Sequence, residues 1–121
     1  MRKIEIGRLG ELLAKEYLKN AGYTILAENY RTLLGELDLV IKKHDTIIFV
    51  EVRTRSTNSH GSPEESITKN KRDRLIRLAL QYCAQHTLYA RNLRFDVVAI
   101  NIKGKKSEIK HISNAFFVGE E

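Results

Sequence analysis

The stretch Gly35–Arg55, GELDLVIKKHDTIIFVEVRTR, decides how the rest of the chain is read. Two β-rich runs, Glu36 to Lys42 and Ile47 to Arg53, flank Lys43-His44-Asp45-Thr46, and the simplest tight connection puts His44-Asp45 at the central turn positions of a β-hairpin. That turn fixes a register. Lys43 stands opposite Thr46, Ile41 opposite Ile48, Leu39 opposite Val50 and Leu37 opposite Val52, giving one wholly apolar face. The other face pairs Lys42 with Ile47, Val40 with Phe49, Asp38 with Glu51 and Glu36 with Arg53.

Directly opposed carboxylates have side-chain roots only about 4.5 to 5.5 Å apart, where like charges repel. A hard divalent cation such as Mg²⁺ resolves the conflict, because it takes carboxylate oxygens together with water and substrate phosphate. Arg53, on the same face, would hold a phosphate or a developing negative charge. The pattern is equally met by solvated charges on an exposed sheet face, with Glu36 and Arg53 as an ordinary ion pair. A single bulge would also undo the facing geometry. Spacing alone leaves the metal site and the solvated face both open.

The 121 residues suffice for one domain with a real core, so residues 1–121 are expected to form a single unit. Lys and Arg outnumber Asp and Glu by 21 to 15, a net charge of +6 that favours an acidic partner such as nucleic acid. No apolar run is long enough to cross a bilayer and the N-terminus lacks the apolar core of a secretory signal, so no membrane partner is expected and the cytoplasm is the expected location. The single cysteine, Cys83, excludes a disulfide framework or thiolate cluster within one chain and reads as a small buried side chain.

Around the hairpin, Glu5 to Ala21 reads as a helix: Leu9, Leu12, Leu13, Tyr17, Leu18 and Ala21 recur at helical spacing and Gly22 is a fitting stop. Gly7, Gly10 and Ala14 form a small-residue stripe that would let this helix approach another backbone closely. Glu11 lies beside it, either carried toward the sheet as a third carboxylate or solvated near Lys15. Thr24 to Arg31 reads as a first strand, and Arg31 at its end is placed to meet phosphate or solvent. After the hairpin, Ser56 to Pro63 is a polar loop containing His60.

Ser62-Pro63-Glu64-Glu65 matches a helix start. The helix, with a break near Thr68, is predicted to reach Gln85 with an apolar stripe of Ile67, Leu75, Leu78, Ala79, Tyr82 and Cys83. Its first half is basic, with Lys69, Lys71, Arg72, Arg74 and Arg77, which suits either a solvated face or a phosphate chain. Arg94 to Ile102 reads as a central strand following a crossover. Asp96 within it requires a partner, most simply a structural salt bridge. Lys103 to Lys106 is a turn, Glu108 to Ile112 a short edge strand, and Ser113 to Glu121 a weakly specified tail.

The stretches GRLGELLAKEYLKNAGY, ENYRTLLGELDLVI, IIFVEVRTR, HGSPEESITKNKRDRL and RFDVVAI, covering most of the chain, resemble the YraN family, within the restriction-endonuclease-like superfamily whose signature is P-D…(D/E)-x-K and which includes archaeal Holliday-junction resolvases. The resemblance implies an α/β fold, a mixed sheet flanked by helices in the order αβββαβ with a short extra C-terminal strand. It implies Mg²⁺-dependent hydrolysis of nucleic-acid phosphodiesters, Mn²⁺ being a possible substitute, with DNA favoured through the resolvase relationship. Asp38 and Glu51 then become the metal-binding carboxylates, Glu11 a helix-borne acidic contributor, and Arg53 the residue in place of the signature lysine. Arg31, Arg55, Lys69, Lys71 and Arg72 are the nucleic-acid-binding candidates, and junction cleavage would suit a two-fold homodimer.

The chain departs from the signature at Leu37, where proline is usual, and at Arg53. Arginine stays protonated, so it stabilises negative charge but accepts no proton from water. Lys71 is the candidate to reach in and substitute. The alternatives are a catalytically weak nucleic-acid-binding module on the same fold, or an interaction protein whose basic surface meets a protein partner.

Overall fold

The computed structural model describes residues 2–56, 67–86 and 92–116. Its elements are α1 (Lys3–Asn20), β1 (Thr24–Thr32), β2 (Gly35–Lys43), β3 (Thr46–Arg55), α2 (Lys69–Gln85), β4 (Asn92–Lys103) and β5 (Lys106–Phe116). The β2–β3 hairpin turns at His44, whose φ of 55° lies in the left-handed region. Lys43↔Thr46, Lys42↔Ile47, Ile41↔Ile48, Val40↔Phe49 and Leu39↔Val50 pair in the predicted register. The five strands form one sheet in the order β1-β2-β3-β4-β5, antiparallel except for β3 and β4. A parallel pair needs a crossover connection, and α2 falls between its two strands in sequence. The restriction-endonuclease-like α/β architecture expected from the resemblance is the one observed.

Alternation on the strands sends side chains to two cores, one on each face. Val40, Phe49, Phe95 and Val97 pack with Leu75, Leu78, Ala79 and Tyr82 of α2. On the other face Leu39, Ile41, Ile48, Val50, Val98 and Ile100 pack with Ala14 and Leu18 of α1. Each fully buried Leu, Ile or Phe contributes about 1.5–3 kcal/mol. The small-residue stripe of α1 works as expected at Gly10: a Cβ there would lie 1.8 Å from Thr54 Oγ1, so only glycine permits this approach of α1 to β3. Because the closest line runs through Gly10, Ala14 and Leu18, the wider apolar stripe read from spacing is only partly buried. Leu12 is turned out to solvent.

α2 begins at Thr68, whose hydroxyl accepts the Lys71 N–H at 3.2 Å as an N-cap. The break expected there is therefore a helix N-terminus. The expected start at Ser62 to Glu65, and His60, lie outside the described residues. β5 is longer than the short edge strand predicted, because its pairing with β4 continues past a register shift to Phe95↔Phe116, and Phe116 is buried. No described helix is long and apolar enough to cross a membrane.

Asp96, 1% exposed, finds the partners its burial demands. Arg94 grips both carboxylate oxygens at 2.9 Å, His111 Nε2 lies 2.7 Å from Oδ2, and the Asn114 N–H donates to Oδ1 at 3.1 Å. Burial alone would push the Asp96 carboxyl up; the bonds from His111, Arg94 and Asn114 outweigh it and hold the group below the usual carboxylate range. This is a structural salt-bridge network on the β4–β5 side of the sheet.

The strand pattern departs from simple alternation at one place. Leu37 packs with Val40 and Phe49 in the α2-side core, three residues along instead of two, and does not join Leu39 and Ile41 as the ideal hairpin register predicts. Tyr30, which pairs with Leu37, changes face with it, while Asn29 between Glu28↔Leu39 and Tyr30↔Leu37 adopts φ 51°. Asn tolerates this left-handed conformation better than other non-glycine residues. The paired strands β1 and β2 thus switch phase together at Asn29 and Asp38.

Candidate active site

The phase switch builds the site. Regular β2–β3 pairing ends at Leu39↔Val50, and beyond it the Asp38 side chain takes over, Oδ2 accepting the Val52 N–H at 2.8 Å. β3 continues alongside β4 as far as Arg55↔Asn101. β2 stays with β1, through Arg31↔Glu36 and Thr32↔Gly35. The expected Glu36–Arg53 ion pair is consequently absent: Glu36 Oε2 accepts from Arg31 Nε at 2.8 Å, and Arg53 Nη2 approaches Glu51 Oε2 at 3.6 Å.

Three elements deliver acidic side chains to the opening. Glu11 comes from α1, one residue beyond the glycine that seats the helix on β3. Glu36 and Asp38 come from β2, and one carboxylate oxygen from each of Glu11, Glu36 and Asp38 lies within 4.8 Å of the others. The Asn29 amide, oriented so that its NH₂ group faces acceptors, donates to Glu36 Oε1 at 2.7 Å and to Glu11 Oε2 at 3.3 Å. From β3 comes Glu51, 8% exposed and hydrogen-bonded to Asp38. The Lys71 ammonium approaches Glu51 Oε2 at 2.5 Å, a charge contact rather than a well-aligned hydrogen bond.

Electrostatics follow from burial and crowding. Burial, then the hydrogen bond and charge of Glu51, push the Asp38 carboxyl up to about 8, only partly offset by the Val52 N–H. Burial also raises Glu51, but the hydrogen bond from Asp38 and the ammonium of Lys71 outweigh it and hold Glu51 below its ordinary value. The two carboxyls therefore share one proton near neutral pH and titrate as a pair. Glu11 is raised by burial and then by the Glu36 charge, against the opposing pull of Arg31 and the Asn29 hydrogen bond.

A cavity of about 380 Å³ opens onto this cluster, walled by Glu11, Arg31, Glu36, Asp38, Glu51, Lys71 and Arg74 and floored by Leu75 and Leu78. Gly35 forms one rim at φ 137°, where a Cβ would also meet Arg74 Cδ at 3.2 Å. Of the sequence candidates, Glu11, Asp38, Glu51, Arg31 and Lys71 come together here. Arg53 flanks Glu51, and its Nε is buried without a hydrogen-bond partner among the described residues.

Lys69, Arg72 and Arg55 do not line the cavity. Lys69 pairs with Asp73 at 3.6 Å, one turn along α2. Glu36 and Asn29 are the members sequence reasoning missed, while Arg74, read within the basic half of the helix, joins the cavity wall. The available signal was Glu36 standing two residues before Asp38 on a strand, together with an asparagine opposite Asp38 in the neighbouring strand.

The fold and the acidic cleft define the chain as a restriction-endonuclease-like α/β protein. The model of the Uncharacterised protein family UPF0102 matches residues 10–100. Similar chains include UPF0102 proteins of Alkaliphilus oremlandii, 46% identical over 93% of this chain and 97% of its relative, and of Syntrophomonas wolfei, 46% identical with the same two coverages. The UPF0102 protein of Desulfitobacterium hafniense is 49% identical over 86% of this chain and 89% of its own. The chain belongs to the UPF0102 family, also called the YraN family.

Proposed function

We propose that the chain is a divalent-cation-dependent endonuclease that hydrolyses phosphodiester bonds in nucleic acid, DNA being favoured. The observation that carries this reading is the convergence of Glu11, Glu36, Asp38 and Glu51 from α1, β2 and β3 on one cavity that also admits Lys71, Arg31 and Arg74. Four carboxylates brought together oppose folding unless protons or cations neutralise them. The donors fit Mg²⁺ or Mn²⁺, which take oxygen ligands. Asp38 and Glu51, with Glu11 and Glu36 completing the set, would hold the ion.

When bound, the cation supplies Lewis-acid neutralisation of phosphate charge and makes water acidic enough to attack near neutral pH. The residues of the chain prepare that step. Asp38, pinned by the Val52 N–H, would hold the ion as a carboxylate, its proton passing to solvent. Lys71 orients Glu51 and, with Arg53, places positive charge where the phosphorane would develop it. Arg31 and Arg74 hold the flanking phosphates.

Cleavage of a labelled branched DNA in Mg²⁺ by the native protein, and its loss in Asp38→Asn, tests the reading; equal cleavage by the variant removes Asp38 from the site. A second reading, binding without turnover, is favoured by one observation. Among the described residues the sole lysine lining the cavity is committed to Glu51, and Arg53 cannot act as a base. Steeply salt-dependent binding with no metal-dependent product would select it, whereas salt-insensitive association would point to a protein partner.

A further inference from the structure

Gly7 stands in the interior of α1, where glycine weakens a helix, and unlike Gly10 it has no packing reason: a Cβ there would meet no atom within 4 Å among the described residues. The space beside it belongs to a second cavity, of about 500 Å³, lined by Lys3, Ile4, Gly7, Arg8, Glu11, Asn29 and Arg31. Glu11 and Arg31 also wall the carboxylate cavity, so the two openings adjoin across these residues as the two arms of a trough divided by them. At the α2 end the trough carries Lys71 and Arg74; at the α1 end it carries Lys3 and Arg8.

Neither Lys3 nor Arg8 is engaged in an ion pair among the described residues, whereas Arg2 and Glu5 neutralise each other at 2.7 Å. Among the described residues, no acidic side chain beyond Glu11 itself lines the α1 end. The first turn of α1 also lacks a side-chain cap hydrogen bond among the described residues.

Resting on the nuclease reading, we propose that the α1 arm of this trough seats the phosphate backbone of the substrate strand continuing past the carboxylates, with Arg8 and Lys3 pairing with successive phosphates and Gly7 kept small so that the strand can lie against the helix. The charge is complementary, the cavity shares Glu11 and Arg31 with the site, and Gly7 is explained by an occupant outside the chain.

The test is binding of a fluorescein-labelled forked DNA, followed by anisotropy across a salt series in Ca²⁺. The double variant Lys3→Ala/Arg8→Ala should lower the log–log salt slope by about 1.4–1.8, the loss of two phosphate contacts. Gly7→Leu should raise Kd severalfold and Gly7→Ala by a smaller factor, and both should hold or raise the melting temperature as better helix formers at an open position. Lost affinity with retained or gained stability is a pattern that a folding defect does not produce. If the native protein binds steeply with salt but Gly7→Leu and the double variant bind as it does, the trough assignment is wrong and the nuclease reading stands. If the native protein shows no salt-dependent binding, both fall together.

Discussion

Asp38 Oδ2 takes the Val52 N–H at 2.8 Å, so a side chain occupies the place where a backbone carbonyl would continue the sheet. One hydrogen bond both ends the β2–β3 ladder and fixes a carboxylate at the mouth of the opening it creates. Asp38→Asn keeps an acceptor for Val52 while removing a charge from a crowded cluster. We expect the variant to fold with native or greater stability in EDTA at pH 9 and to lose its stabilisation by Mg²⁺. Thermal melts with and without the cation check this; a Mg²⁺-induced shift equal to that of the native protein would contradict it.

The pH dependence follows from the direction of the Asp38 shift. Its folded value is raised from 3.8 to about 8, so the folded state binds the extra proton between these limits. The stability this group contributes is full below its unfolded pKa and is lost as pH rises through the folded one. Metal-free stability should therefore decline between about pH 4 and pH 8 on account of Asp38, and the decline should vanish in Asp38→Asn. Cation affinity runs the other way, rising up to about pH 8 because the shared proton must leave. Urea unfolding and calorimetric Mg²⁺ titration across this range measure the two trends.

Lys71 and Glu51 form the closest charge pair in the cavity. Lys71→Met leaves Glu51 buried with Arg53 at 3.6 Å as its remaining cation among the described residues, and stranding a buried polar group costs about 1–3 kcal/mol. Lys71 is partly exposed, so the lower half of that range is expected. Adding Glu51→Gln should recover most of the loss, a coupling that a double-mutant cycle reads directly.

Residue 53 tests whether the chemistry is limited by a missing lysine. Arg53→Lys should increase metal-dependent cleavage if arginine at this place restrains turnover. Absent cleavage in the native protein that stays absent in Arg53→Lys removes residue 53 as the cause.

The seating of Glu11 depends on Gly10. A methyl group at this position would overlap Thr54 Oγ1, at 1.8 Å, and lies 2.7 Å from both Thr54 Cβ and Cγ2, so α1 must shift outward. Gly10→Ala should destabilise the protein by about 1–3 kcal/mol and weaken cation binding by carrying Glu11 away. An unchanged urea midpoint would contradict the tight α1–β3 approach.

Strict alternation and a two-residue turn made the β2–β3 register legible as far as Leu39↔Val50, and those constraints are local. The same rule failed one residue further. Alternation assumes that a ladder continues, whereas Asn29 in a left-handed conformation and a side-chain bond from Asp38 reverse the phase of two strands together. Alternation therefore pairs Glu36 with Arg53 across the hairpin, whereas its partner lies across the other strand pair, at Arg31. The reach of Lys71 could be raised as an option from its place at a helix start, but the contact with Glu51 depends on how α2 lies on β2 and β3, which no local pattern encodes. Leu12 illustrates the converse: helical spacing marked it as apolar stripe, yet the glycine-lined approach of α1 leaves it in solvent.

The central claim is that acidic groups from a helix and two strands meet because a cation belongs among them. A crystal soaked in Mn²⁺, with anomalous differences collected at the manganese edge, tests this most directly. The account predicts a peak within coordination distance of Asp38 and at least one of Glu11, Glu36 and Glu51. No peak at those carboxylates in saturating Mn²⁺ would contradict it.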